Sequence, residues 1–177
     1  AEGIAFMPGF AFASASTTLV GQSIGAKKTD LASRYMRSCV ITAVIVMAVA
    51  GAGLFFFGKY IVRVFTPDPD VIALATVCLQ IAALLQPAQT GAMVFAGGLR
   101  GAGDTMTPMW ISLITTIIVR VPLAYTLAHF TACAEWPNGR PEALWGSLFI
   151  CWALGAVIHV LFYRRGKWKR KAEISMQ

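Results

Sequence analysis

The chain has 177 residues, of which 57% are hydrophobic and only 13% charged, with a mean hydropathy of +0.67 and a net charge of +7. Soluble domains carry about a quarter charged residues, and a soluble chain this apolar would expose large aggregating patches. The composition therefore excludes intrinsic disorder and a soluble nucleic-acid binder, and it points to an all-α, polytopic membrane protein.

Five stretches are long and apolar enough to cross a hydrocarbon core about 30 Å thick. They are residues 4–26, 38–60, 71–99, 108–130 and 143–163, followed by a basic tail at 164–177. No ten-residue alternation suggests a membrane barrel. The chain opens on Ala1-Glu2-Gly3, without Met or a basic leader, as expected of a piece of something longer.

The first span is rich in hydroxyls (Ser14, Ser16, Thr17, Thr18, Ser23) and contains Gln22 and the spacing Gly21-x-x-x-Gly25, which permits close helix approach. The loop after it holds Lys27, Lys28, Arg34 and Arg37 against Asp30. The second span ends near Lys59 and Arg63, before the turn Thr66-Pro67-Asp68-Pro69-Asp70, where neither proline can continue the helix.

The third span carries Gln80, Gln86 and Gln89. Gln86 and Gln89 share one face at three-residue spacing, with Thr90 beside them and Pro87 between. Side-chain amides should face the bundle interior or a wet cavity, and a proline-interrupted span with polar groups on one side suits a small-ligand pathway. The same residues would also serve as interhelical glue.

The loop Leu99-Arg100-Gly101-Ala102-Gly103-Asp104-Thr105 follows. Arg100 and Asp104 there read as a turn clamp or as a gate. The fourth span holds Arg120, two residues before Pro122. A charge at that depth is costly unless solvated or paired, and all eight acids fall at span ends or in loops. The next loop contains Trp136 and Pro137-Asn138-Gly139. Lone His129 and His159 read more readily as packing groups than as a proton relay. Tyr163 and Trp168 fit an interfacial aromatic belt.

With the first and third loops and the tail on one side, that side collects most of the 15 basic residues. The positive-inside rule makes it cytoplasmic, so the N-terminus starts outside and the C-terminus lies in the cytoplasm. Cys39, Cys78, Cys133 and Cys151 are too scattered for a disulfide scaffold or a zinc site. Neither an acid pair nor a catalytic motif supports an enzyme, and no metal or cofactor is expected.

Three segments together carry a resemblance: Pro8-Gly9-Phe10-Ala11-Phe12-Ala13 leading to Leu19-Val20-Gly21-Gln22-Ser23-Ile24-Gly25-Ala26; Leu99 to Thr105 with Pro108; and Arg120-Val121-Pro122-Leu123-Ala124-Tyr125. In this order and spacing the chain resembles the multidrug and toxic compound extrusion (MATE) family of cation-coupled antiporters. The resemblance implies twelve spans in two lobes, with this chain matching the C-terminal lobe from helix eight to helix twelve without the lobe's first helix. Its partners would be the N-terminal lobe and that preceding helix, the lipid bilayer of the inner membrane, and small organic substrates.

The implied function is export of amphipathic or cationic organic compounds by a secondary active transporter, driven by Na+ or H+ as the transported coupling ion. The acid that some members carry ten positions before the leucine of the second motif is Gln89 here, an amide that cannot carry a proton. The candidate pathway residues are Gln22, Gln86, Gln89, Thr90 and Arg120, with Arg100 and Asp104 at the cytoplasmic turn. Two alternatives stay open. One is a lipid or oligosaccharide flippase of the same superfamily, which would use several basic cavity residues. The other is a non-transporting membrane fragment or packing subunit.

Overall fold

The computed structural model describes residues 2–132, 141–166 and 168. Cys133, the loop around Trp136 to Gly139, Lys167 and the tail beyond Trp168 lie outside the described residues. Five helices follow in order: α1 (Glu2–Gly25), α2 (Thr29–Phe65), α3 (Pro69–Gly101), α4 (Met106–Phe130) and α5 (Pro141–Arg164). No strand occurs among the described residues. Four of the helices, α2 to α5, are long and apolar enough to cross a membrane, and side chains such as Val49, Phe56 and Val64 lie exposed on their outer surface. The chain is an all-α polytopic membrane protein.

Helix ends follow capping chemistry rather than lipid thickness, so α2 runs well past the expected apolar stretch 38–60 at both ends. Asp30 to Arg37 and Lys59 to Arg63 continue its helix as charged turns, since Lys and Arg have good helix propensity. It ends at Thr66, whose extended backbone (φ −149°, ψ 140°) is what a residue before proline must adopt. Asp68, also before a proline, is extended too and caps α3 by accepting a hydrogen bond from the Asp70 N–H at 3.0 Å. Pro69 sits in the first turn of α3, where its absent N–H costs nothing.

The turn from α1 to α2 is a left-handed helix cap. The Lys28 N–H donates to the Ser23 carbonyl (2.9 Å) and the Lys27 N–H to that of Ile24 (2.8 Å), with Lys27 at φ 59°. These bonds form the paired pattern that usually places glycine at that position. Replacing Lys27 with glycine is therefore expected to stabilise the protein by about 1 kcal/mol, raising its melting temperature in detergent. No rise would show that the lysine side chain compensates for its backbone.

The α3 to α4 turn repeats the motif with the expected residue. Gly103 (φ 81°) donates to the Arg100 carbonyl at 3.0 Å, and the Asp104 N–H donates to that of Leu99 at 2.9 Å.

The central helix is α3, which packs against α1, α2 and α5. Its contact with α1 is made backbone to backbone. Gly97 lies against the Ala13 carbonyl and Gly101 against that of Thr17, so close that neither position has room for a Cβ. The Thr17 hydroxyl donates to the Gly97 carbonyl across the interface at 3.0 Å. Small residues four apart on each helix thus make this contact. The expected pair Gly21 and Gly25 does not. A Cβ at Gly21 would only touch the Gly101 carbonyl oxygen at 3.4 Å, and Gly25 faces open space.

The α2 to α3 contact exploits Pro87. Proline has no N–H to offer the carbonyl four residues earlier, which belongs to Ala83. Gly51 of α2 closes on that carbonyl, where a Cβ would lie 2.6 Å from the oxygen. The helix stays continuous through Pro87.

At the far end of the bundle, Val20, Ile24, Met36, Phe95 and Leu99 enclose Trp168, which is 2% exposed. Trp168 is therefore a core residue rather than part of an interfacial belt. The chain turns at Gly166 (φ 67°) beyond α5 and brings the indole back against the bundle. Tyr163 stacks on Trp168 at 5.8 Å and packs at a tilt against Phe95 at 5.4 Å, and its hydroxyl meets the Ser33 hydroxyl at 2.9 Å. Tyr163→Phe is expected to cost about 1 kcal/mol, read as a lower melting temperature. An unchanged value would show that stacking alone fixes the ring.

Candidate functional site

The sequence-derived pathway residues divide between two places. Gln86, Gln89 and Thr90 lie together in the buried stretch of α3. Gln86 packs beside Gly51 of α2, and the Thr90 hydroxyl lies against Gly9 of α1. Gln86 is 1% and Gln89 9% exposed, and the carbonyl oxygen of each amide is buried with no hydrogen-bond donor among the described residues. An unsatisfied buried acceptor costs about 1–3 kcal/mol. Each oxygen is thus an uncompensated acceptor among the described residues.

Gln22 does not join this group; it is exposed near the end of α1. Arg120 is elsewhere too. It lines a cavity of about 340 Å³ between α3, α4 and α5. The cavity exists because α4 packs along α5 and meets α3 only weakly.

The local structure of α4 follows from Pro122. Residues Ile114–Arg120 form a π-helical turn just before it, and the Val121 N–H bonds the Thr116 carbonyl. The wider turn accommodates the proline ring, which would clash with the carbonyl of an ordinary preceding turn. The Cys151 thiol of α5 donates to the Thr115 carbonyl at 3.2 Å, pinning α5 to this turn.

Arg100 lines the same cavity at its other end, beside the turn. Asp104 acts as the clamp. Its carboxylate accepts the Thr107 N–H at 3.3 Å and the Thr107 hydroxyl at 2.7 Å, fixing the first turn of α4. Gly103→Ala places a Cβ on a left-handed residue of this clamp and is expected to cost about 1–2 kcal/mol. The melting temperature tests it, and an unchanged value would mean that the turn can rearrange.

His159, whose sequence context favours a packing role, also lines this cavity. It is 5% exposed; its Nδ1 lies 2.7 Å from the Gly155 carbonyl, and its Nε2 is buried without a partner among the described residues. The only signal in the sequence was its four-residue spacing from Gly155, which is common in any helix. No group of three or more metal-ligating side chains occurs among the described residues.

The MatE family model matches residues 2–126. The chain is 27% identical over 176 residues to a probable multidrug resistance protein NorM of Thermotoga maritima, covering 99% of this chain and 37% of that protein. It is 31% identical over 160 residues to a probable multidrug resistance protein NorM of Pasteurella multocida, covering 90% and 34%. Against multidrug and toxin extrusion protein 2 of Homo sapiens the identity is 29% over 154 residues, covering 87% and 25%. The chain spans about a third of the length of the first two relatives. A family match over most of the chain, on a helical membrane fold in which Gly97 and Gly101 lock α3 to α1, shows that the chain belongs to the MatE family.

Proposed function

We infer that the chain is the C-terminal lobe portion of a multidrug efflux antiporter, helices eight to twelve of a two-lobed transporter. The complete protein exports amphipathic or cationic organic compounds in exchange for Na+ or H+ and performs no covalent chemistry. It lies in the inner membrane, with Ala1 outside and the tail in the cytoplasm. The N-terminal lobe and a preceding helix are its partners.

The observation that carries the reading is the pair of unpartnered amide oxygens of Gln86 and Gln89, held in the interior of a helix that also forms both close backbone contacts. Carbonyl-type oxygens in an apolar interior favour positively charged groups without themselves titrating. Such a face accepts an organic cation; proton coupling through Gln89 is excluded by its chemistry.

The test uses the complete transporter in proteoliposomes, preloaded with an amphipathic cation. Either an inward sodium gradient or an inward proton gradient should drive its exit. If neither gradient does so, the antiporter reading is wrong.

A further inference from the structure

The cavity between α3, α4 and α5 is cationic. Arg100 and Arg120 line it from opposite ends, and no carboxylate lines it. Arg120 stands 15 residues beyond Thr105, on the order of 20 Å from the turn, and its side chain is exposed. A guanidinium within a span is stabilised by a counter-charge or by solvation, and no carboxylate among the described residues lines the cavity that Arg120 faces.

The second observation is His159. Its Nδ1 faces the Gly155 carbonyl at 2.7 Å, so in the neutral ring Nδ1 carries the hydrogen and the buried Nε2 is left as an acceptor without a donor among the described residues. His159 is eight residues from Cys151, or about 12 Å along α5. The wall between these polar ends is formed in part by Met93, Met109 and Trp152, and a volume of about 340 Å³ suits a small organic molecule.

We propose that this cavity binds an anionic amphiphile. Its acid group pairs with Arg120, its apolar body lies along Met93, Met109 and Trp152, and a hydroxyl or N–H further along donates to Nε2 of His159. Two guanidiniums repel an organic cation, so this site is distinct from the Gln86 and Gln89 face. The acid group can belong to a membrane lipid or to a soluble compound, and both present the same chemistry to Arg120.

The test is equilibrium binding of 11-(dansylamino)undecanoic acid to the complete transporter in phosphatidylcholine nanodiscs, followed by dansyl fluorescence. Its methyl ester, which lacks the charge, is the comparison. The acid should bind about tenfold more tightly than the ester, as expected for one charge-assisted contact. Arg120→Gln should abolish that preference, and a retained melting transition in the nanodisc shows that the variant is folded. Arg120→Lys should retain most of the preference. His159→Phe should weaken acid and ester alike, by a few-fold.

Equal binding of acid and ester by the parent protein would overturn the proposal. So would a preference that survives Arg120→Gln. In nanodiscs containing phosphatidylglycerol, loss of probe binding would assign the site to anionic lipid, and undiminished binding would assign it to soluble amphiphiles. The assay needs no ion gradient, so its outcome is independent of the export reading.

Discussion

Gly101→Leu is expected to destabilise the folded protein severely, and Gly97→Leu nearly as much. Both positions face backbone carbonyls of α1, those of Thr17 and Ala13. A clash with backbone cannot be relieved by rotating a side chain, so α1 must move away from α3. Overpacking a core costs about 1–3 kcal/mol even where side chains can adjust, and here the separation also breaks the bond from the Thr17 hydroxyl to the Gly97 carbonyl. The combined loss should exceed about 3 kcal/mol, against a total stability that is typically only about 5–15 kcal/mol. Gly25→Leu provides the control. Its site opens on empty space, so it should change stability by no more than about 0.5 kcal/mol. The measurement is the fraction of monodisperse protein after detergent extraction, as a function of temperature. If Gly101→Leu and Gly25→Leu behave alike, the α1 to α3 contact is not the one described.

The second large effect concerns the paired amides. Gln86→Leu with Gln89→Leu should strongly reduce drug efflux while expression holds. The stability change separates a pathway role from interhelical glue. Glue requires the amides to be bonded, and removing it would lower stability by about 1 kcal/mol for each bond lost. The observed oxygens accept no bond among the described residues. Their replacement by a side chain of similar size should therefore leave stability unchanged, or raise it by about 1–2 kcal/mol. Drug accumulation in cells, measured beside the melting temperature, decides. Unchanged accumulation would reject the lining role, and a marked fall in melting temperature would restore the glue reading.

The sequence made the helices legible because membrane spans announce themselves by length and apolarity, and because Pro67, Asp68 and Pro69 can only make a turn with a cap. The clamp role of Asp104 was legible for the same local reason. The interhelical choices were not. Gly21-x-x-x-Gly25 and Gly97-x-x-x-Gly101 have the same spacing, and only the rotation of α1 and α3 against each other decides which pair meets backbone. Gln22 looked equivalent to Gln89 as an amide inside a span, yet α1 turns it outward.

Trp168 and His159 were harder still. The burial of Trp168 depends on the reversal at Gly166, and the meaning of His159 on a gap left by the weak contact between α3 and α4. Arg120 lines the cavity between α3, α4 and α5, whereas Gln86, Gln89 and Thr90 lie buried in α3 and do not line it.

The export claim is tested most directly by concentrative uptake of tetraphenylphosphonium into inside-out vesicles that contain the complete transporter. Uptake should exceed that of empty vesicles, collapse when an ionophore removes the driving gradient, and be lost with Gln86→Leu and Gln89→Leu while the protein remains folded. Uptake equal to that of empty vesicles, with the gradient intact, would contradict it.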